Sequence, residues 1–128
     1  MSQTVISVVD DMFFASKIRA VAEAAGTEIS FPRSVEAVVS KARETKPRLI
    51  VVDLHNQRID PAALARELKA DEELRSIKLL GFFSHVQTEL KKNALSAGFD
   101  EVIPRSVFAR DLEELLTADY TDTGAITS

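Results

Sequence analysis

Three aspartates stand where two apolar runs stop. Asp10 and Asp11 close Val5-Ile6-Ser7-Val8-Val9, and Asp53 closes Leu49-Ile50-Val51-Val52. Four apolar residues in a row, entered through Pro47-Arg48, predict a short strand buried on both faces, the habit of a central strand in a parallel sheet. Ligands and chemistry collect at the carboxyl ends of strands in open α/β sheets, so an acid there is a site candidate from position alone. Carboxylates held close together repel one another; such a cluster either raises a pKa or holds a hard cation through oxygen ligands. Two histidines fall nearby, His55 two residues after Asp53 and His85 two after Phe83. Asp and His together can bind transition metals. Here no helical ligand spacing and no third nitrogen ligand accompany them, and both read as solvated loop imidazoles. Ser84 and Gln87 have the spacing of a capping box, a structural task for Ser84.

The elements that must position these acids follow from periodicity. After the first strand, Val5–Val9, apolar residues recur at helical spacing through Phe14, Ile18, Val21, Ala22 and Ala25, and Gly26 supplies the stop. Residues 28–31 make a short second strand. Pro32 breaks the chain, and Ser34 caps a helix carrying Val35, Val38, Val39 and Ala42 that ends near Thr45. Beyond the central strand, Asp60-Pro61 is a cap and first residue for a third helix built on Leu64 and Leu68. Ile77–Phe83 reads as a fourth strand, with Gly81 marking a close approach to the backbone. A fourth helix with Leu90, Ala94 and Ala97 inward stops at Gly98. Val102-Ile103 is a fifth strand, limited by Pro104, and Ser106 is expected to cap a last helix carrying Phe108, Leu112, Leu115 and Leu116. Five strands alternating with five helices predict a single doubly wound α/β domain over residues 1–117, its parallel sheet covered on both faces. The polar residues 118–128 have no period and are expected to be a disordered tail.

Composition limits the partners. The chain has 128 residues, 45% of them hydrophobic, enough for one core. Sixteen Lys and Arg against twenty Asp and Glu give a net charge of −4, so no global basic field points to nucleic acid or an anionic membrane. The absence of cysteine removes thiolate chemistry and fits a reducing compartment. No stretch is apolar enough to span a bilayer and no signal peptide is visible, so a cytoplasmic protein is expected. Neither G-x-G-x-x-G nor a P-loop is present.

In this order and at these spacings, the acidic pair of VVDD, the strand-end acid of LIVVDL, Ile59-Asp60 at a turn, and the late segment AGFDEVIPR resemble the receiver domain of bacterial response regulators. The resemblance covers nearly all of the chain before the tail. It implies a flavodoxin-like fold of strand order 2-1-3-4-5, which sets the first and third strands side by side and brings Asp10, Asp11 and Asp53 into one pocket. It also implies roles. Asp53 would be the phospho-acceptor, Asp10, Asp11 and Asp53 would hold Mg²⁺, and a Thr or Ser after strand four and a Lys after strand five would contact the phosphoryl oxygens.

Carried over residue by residue, the pattern breaks in three places. The Thr/Ser position is Phe83, which cannot hydrogen-bond a phosphoryl oxygen, and Ser84 beside it restores a hydroxyl only if the register slips. The Lys position is Arg105, a planar fork rather than a compact point donor. The family's aromatic switch residue is Val102, and the Pro after the Lys is Ser106. Met12 and Phe13 follow the acidic pair as a candidate interaction rim with Phe83 facing them, and Asp53 could be tied to Arg105 as a structural ion pair. The expected function is therefore a stand-alone receiver-like signalling module acting through protein–protein interaction, not an enzyme beyond self-phosphorylation and dephosphorylation at Asp53. Its protein partners would be a histidine kinase or a downstream signalling protein, with homodimerisation open. The alternative is a working phospho-receiver that uses Asp53 and Mg²⁺, and a third reading, a flavin-like small-molecule binder, rests on fold alone.

Overall fold

A computed structural model of the chain describes residues 4–84 and 88–117. The parallel run of apolar strands forms as expected: β1 (Thr4–Val8), β2 (Glu28–Ser30), β3 (Leu49–Asp53), β4 (Lys78–Phe83) and β5 (Glu101–Pro104) make one sheet of order β2-β1-β3-β4-β5. Every pairing is parallel. Between the strands lie α1 (Met12–Ala24), α2 (Val35–Thr45), α3 (Pro61–Ala70) and α4 (Thr88–Ala97), and α5 (Arg105–Arg110) and α6 (Leu112–Thr117) follow β5.

Alternation along the strands divides the core in two. Ile6, Val8, Ile50, Val52 and Leu79 face one way, against Val38 and Ala42 of α2, Leu64 and Leu68 of α3, and Ala94 of α4. Val5, Leu49, Val51, Leu80 and Phe82 face the other way, against Phe14, Ile18 and Ala22 of α1 and Phe108, Leu112 and Leu116 of α5 and α6. In this second layer Phe82 and Phe108 stack at 4.8 Å between ring centroids and 7° between planes, and Phe14 meets both edge-on at 5.4 and 5.7 Å. Gly81 is the close approach its type announced, since a Cβ there would stand 3.0 Å from Leu54 and from Phe99.

The caps at Asp11, Ser34 and Asp60 all accept backbone N–H groups of the first helical turn. The last helix differs from expectation in two ways. Ser106 does not cap it: β5 runs through Pro104, whose extended backbone (φ −64°, ψ 149°) leads directly into α5 without a side-chain cap. The helix is also interrupted at Asp111 (φ −100°, ψ 18°), whose carboxylate takes two hydrogen bonds from the neighbouring Arg110 guanidinium at 2.9 and 3.0 Å. Arg48, buried just before β3, donates to the carbonyl of Leu116 at 2.7 Å and anchors the end of α6. No helix among the described residues is long and apolar enough to cross a membrane. The tail expected from residue 118 lies outside the described residues.

Candidate functional site

The strand order places β1 beside β3, with Val8 opposite Val52, so Asp10, Asp11 and Asp53 do arrive at one edge of the sheet. Their side chains are used differently. Asp53 is 7% exposed, and its Oδ1 accepts the N–H of His55 at 2.9 Å. Burial pushes its carboxyl above the ordinary range; the His55 N–H and the nearby His55 and Arg105 charges oppose that shift, and Asp10 adds to it. Asp10 is half-buried and its Oδ2 takes a long contact from the N–H of Gln57 at 3.4 Å.

Asp11 is occupied on both oxygens. Its Oδ1 caps α1, accepting from the N–H groups of Phe13 and Phe14 at 3.0 and 3.2 Å, and its Oδ2 takes the Arg105 guanidinium at 3.0 Å. These bonds, the Phe14 N–H first and Arg105 next, hold its carboxyl below the usual range. Arg105 in turn lies 4.2 Å over the centre of the Phe14 ring, so the cation is held by a carboxylate and an aromatic face together. The ion pair of Arg105 is therefore with Asp11 and not with Asp53. An arginine at the start of α5 thus meets the residue that caps α1, with its guanidinium over the Phe14 ring.

No three acidic or imidazole side chains among the described residues converge as a cation-binding set. Asp11 is committed to the helix cap through Oδ1 and to Arg105 through Oδ2. Phe83 also departs from its expected place. It is buried in the layer beneath α2, α3 and α4, opposite Pro104 in register, whereas Met12 and Phe13 open α1 on the other layer and are 74% and 92% exposed. The face shared by Phe83 and the rim does not form. Ser84 is exposed beyond the strand end. His55 is half-buried with its Nε2 shielded from solvent, rather than a solvated imidazole. His85 and the Ser84–Gln87 capping box involve residues outside the described ones.

Sequence reasoning missed Asn56. Its Oδ1 accepts the N–H groups of Arg58 and Ile59 at 2.8 and 2.9 Å, and its Nδ2 reaches the carbonyl of Val8 at 3.3 Å, locking the loop after β3 to the end of β1. An Asn two residues before a stretch that turns is the available signal.

Because Asp53 is harder to ionise folded than unfolded, it holds its proton in the folded state at pH values where the unfolded chain has lost it. Its contribution to stability is full below the unfolded carboxylate range and is lost as pH rises through the folded value. Asp53→Asn, which keeps an oxygen for the His55 N–H, is expected to raise the melting temperature at pH 7 relative to the parent. That gain should shrink as the pH falls through the folded value of Asp53 and be gone below about 4, where the carboxyl is protonated in both states. Thermal melts of the two proteins across this range check it.

No protein-family profile matches the chain. It is 29% identical over 90 residues to the response regulator protein VraR of Staphylococcus saprophyticus, an alignment that covers 70% of this chain and 42% of that protein. The chain thus spans less than half the length of this curated relative. Among solved structures it superposes on a CheY-like response regulator receiver domain protein from Methanospirillum hungatei, with TM-score 0.75, 19% identity and 91% of each chain covered. It also superposes on the receiver domain of a sensor histidine kinase from Pseudomonas aeruginosa, with TM-score 0.77, 19% identity, and 91% of this chain and 95% of that one covered. The latter holds a magnesium ion in its active site cleft.

Proposed function

We propose that the chain, which has the fold of CheY-like receiver domains, is a receiver of two-component signalling that works as a protein-interaction module whose phosphorylation chemistry has been dismantled. The observation that carries the reading is the Arg105–Asp11 pair laid over Phe14. One member of the acidic pair is neutralised by an internal cation, so an incoming divalent ion would have to compete with Arg105 for Asp11 Oδ2. Phe83 adds a second obstacle, because it stands at the sequence position where the resemblance calls for a Thr or Ser, supplies no hydroxyl, and turns its ring into the core beneath α2, α3 and α4. Met12 and Phe13, exposed at the same edge, are the surface a protein partner would cover, whether a histidine kinase or a downstream signalling protein.

The test is intact mass after saturating acetyl phosphate with Mg²⁺. The expected spectrum is unchanged. A phosphoryl adduct on Asp53 overturns the reading in favour of a working phospho-receiver, which the position of Asp53 at the β3 end, with Asp10 beside it, supports.

A further inference from the structure

We propose that the cleft between α1, the loop after β2 and the loop after β3 binds a small phosphate monoester carrying an apolar ring. A cavity of about 210 Å³ lies there, below the roughly 300 Å³ at which pockets for drug-sized ligands begin, so its occupant is small. Three arginines line it from three different elements: Arg19 from α1, Arg33 from the loop after β2 and Arg58 from the loop after β3. Arg33 and Arg58 form no ion pair among the described residues, and Arg19 stacks 4.8 Å over the Phe31 ring instead of meeting a carboxylate. The one acid on the wall is Asp10.

Three guanidinium charges against one carboxylate leave an excess of two positive charges in a chain whose net charge is −4. A phosphate monoester carries about −1.5 to −2 at neutral pH, which matches that excess, and guanidinium forks bind its oxygens pairwise. The remaining wall, with Met12, Phe31, Pro32 and Ile59, is apolar and suits a flat ring. The cleft is built in advance: Asn56 fixes the backbone of Arg58 and Ile59, and the cation over Phe31 ties α1 to the loop after β2. Asp53 is not on the wall of this cleft, and binding here calls for no bond to it.

Amide NMR titrations of the full chain with phenyl phosphate, benzoate, inorganic phosphate and phenol, all without divalent cations, test it. Phenyl phosphate is expected to give saturable shifts at Ala15, Arg19, Phe31 and Arg58. Benzoate and inorganic phosphate should bind at least about tenfold more weakly, because each lacks either the second charge or the ring, and phenol should not bind. Arg33→Ala combined with Arg58→Ala, both at exposed positions, should weaken phenyl phosphate at least about tenfold while shifts elsewhere stay those of the parent fold. Shifts that do not saturate, equal affinity for phenol or inorganic phosphate, or an undiminished affinity in the double variant overturns the proposal. Since no Mg²⁺ or phosphodonor is present, none of these outcomes bears on phosphorylation of Asp53.

Discussion

Replacing Phe82 by Ala is expected to lower the stability of the domain by about 3–5 kcal/mol, the cost of removing a buried phenyl ring from a core. Phe82 is wholly buried between the sheet and two helices that are remote in sequence, stacked on Phe108 and meeting Phe14 edge-on. Its loss leaves a void that neither ring can fill without moving α1 or α5. Phe14 is also the surface on which Arg105 rests, so the same change should loosen the Arg105–Asp11 pair. For a domain whose total stability is of the order of 5–15 kcal/mol, a loss of this size takes a large share of it. Urea unfolding followed by circular dichroism checks it. A shift of under 1 kcal/mol would mean that the trio does not carry the second core layer.

Gly98→Ala should cost on the order of 2–4 kcal/mol, more than a glycine at a helix end ordinarily would, because strain and collision add. Gly98 closes α4 with φ +126°, and a Cβ there would stand 2.7 Å from Cγ of Lys69. Lys69 cannot simply swing aside. Its Nζ donates to the carbonyl of Arg75 at 3.0 Å and to Asp100 Oδ2 at 3.0 Å, and that same Oδ2 accepts the N–H of Leu79 at 2.7 Å. Displacing it therefore loosens the entry into β4. Gly26→Ala is the matched control: it has φ +74° but nothing within 4 Å of the added Cβ, so it should lose only the backbone cost, about 1–2 kcal/mol. Equal losses at the two glycines in urea unfolding would refute the collision with Lys69.

The features that could be read from the sequence are those written locally. Leu49–Val52 announced a central strand because four apolar residues in a row need burial on both sides. Gly26, Ser34, Asp60 and Gly98 announced helix ends because each solves a backbone problem within a few residues of itself. The gathering of Asp10, Asp11 and Asp53 at one edge followed from strand order, and the register of β1 with β3 bears it out. What could not be read depends on meetings across the chain. Arg105 and Asp11 are 94 residues apart, and nothing in either neighbourhood says that the arginine would choose Asp11 over Asp53. The side on which Phe83 falls is set by the parity of β4, and that parity decides whether it joins the rim or the core. The arginine cleft draws one residue from each of three separated segments, none of which carries a motif. The break at Asp111 was hidden because Phe108, Leu112, Leu115 and Leu116 keep a helical period straight through it.

The hydrogen bond from Arg48 to Leu116 decides where a handle can be attached to this domain. α5 starts beside the acids, and α6 finishes where β3 begins, so Thr117 leaves at the opposite end of the sheet. Five residues of β3 at about 3.3 Å each put roughly 16 Å between the two ends. An affinity tag, a fluorophore or an immobilising linker attached at Thr117 therefore starts from the end of the sheet away from Asp53, the Met12–Phe13 rim and the arginine cleft. Binding measurements can be made on a tethered molecule with all three surfaces facing the solution.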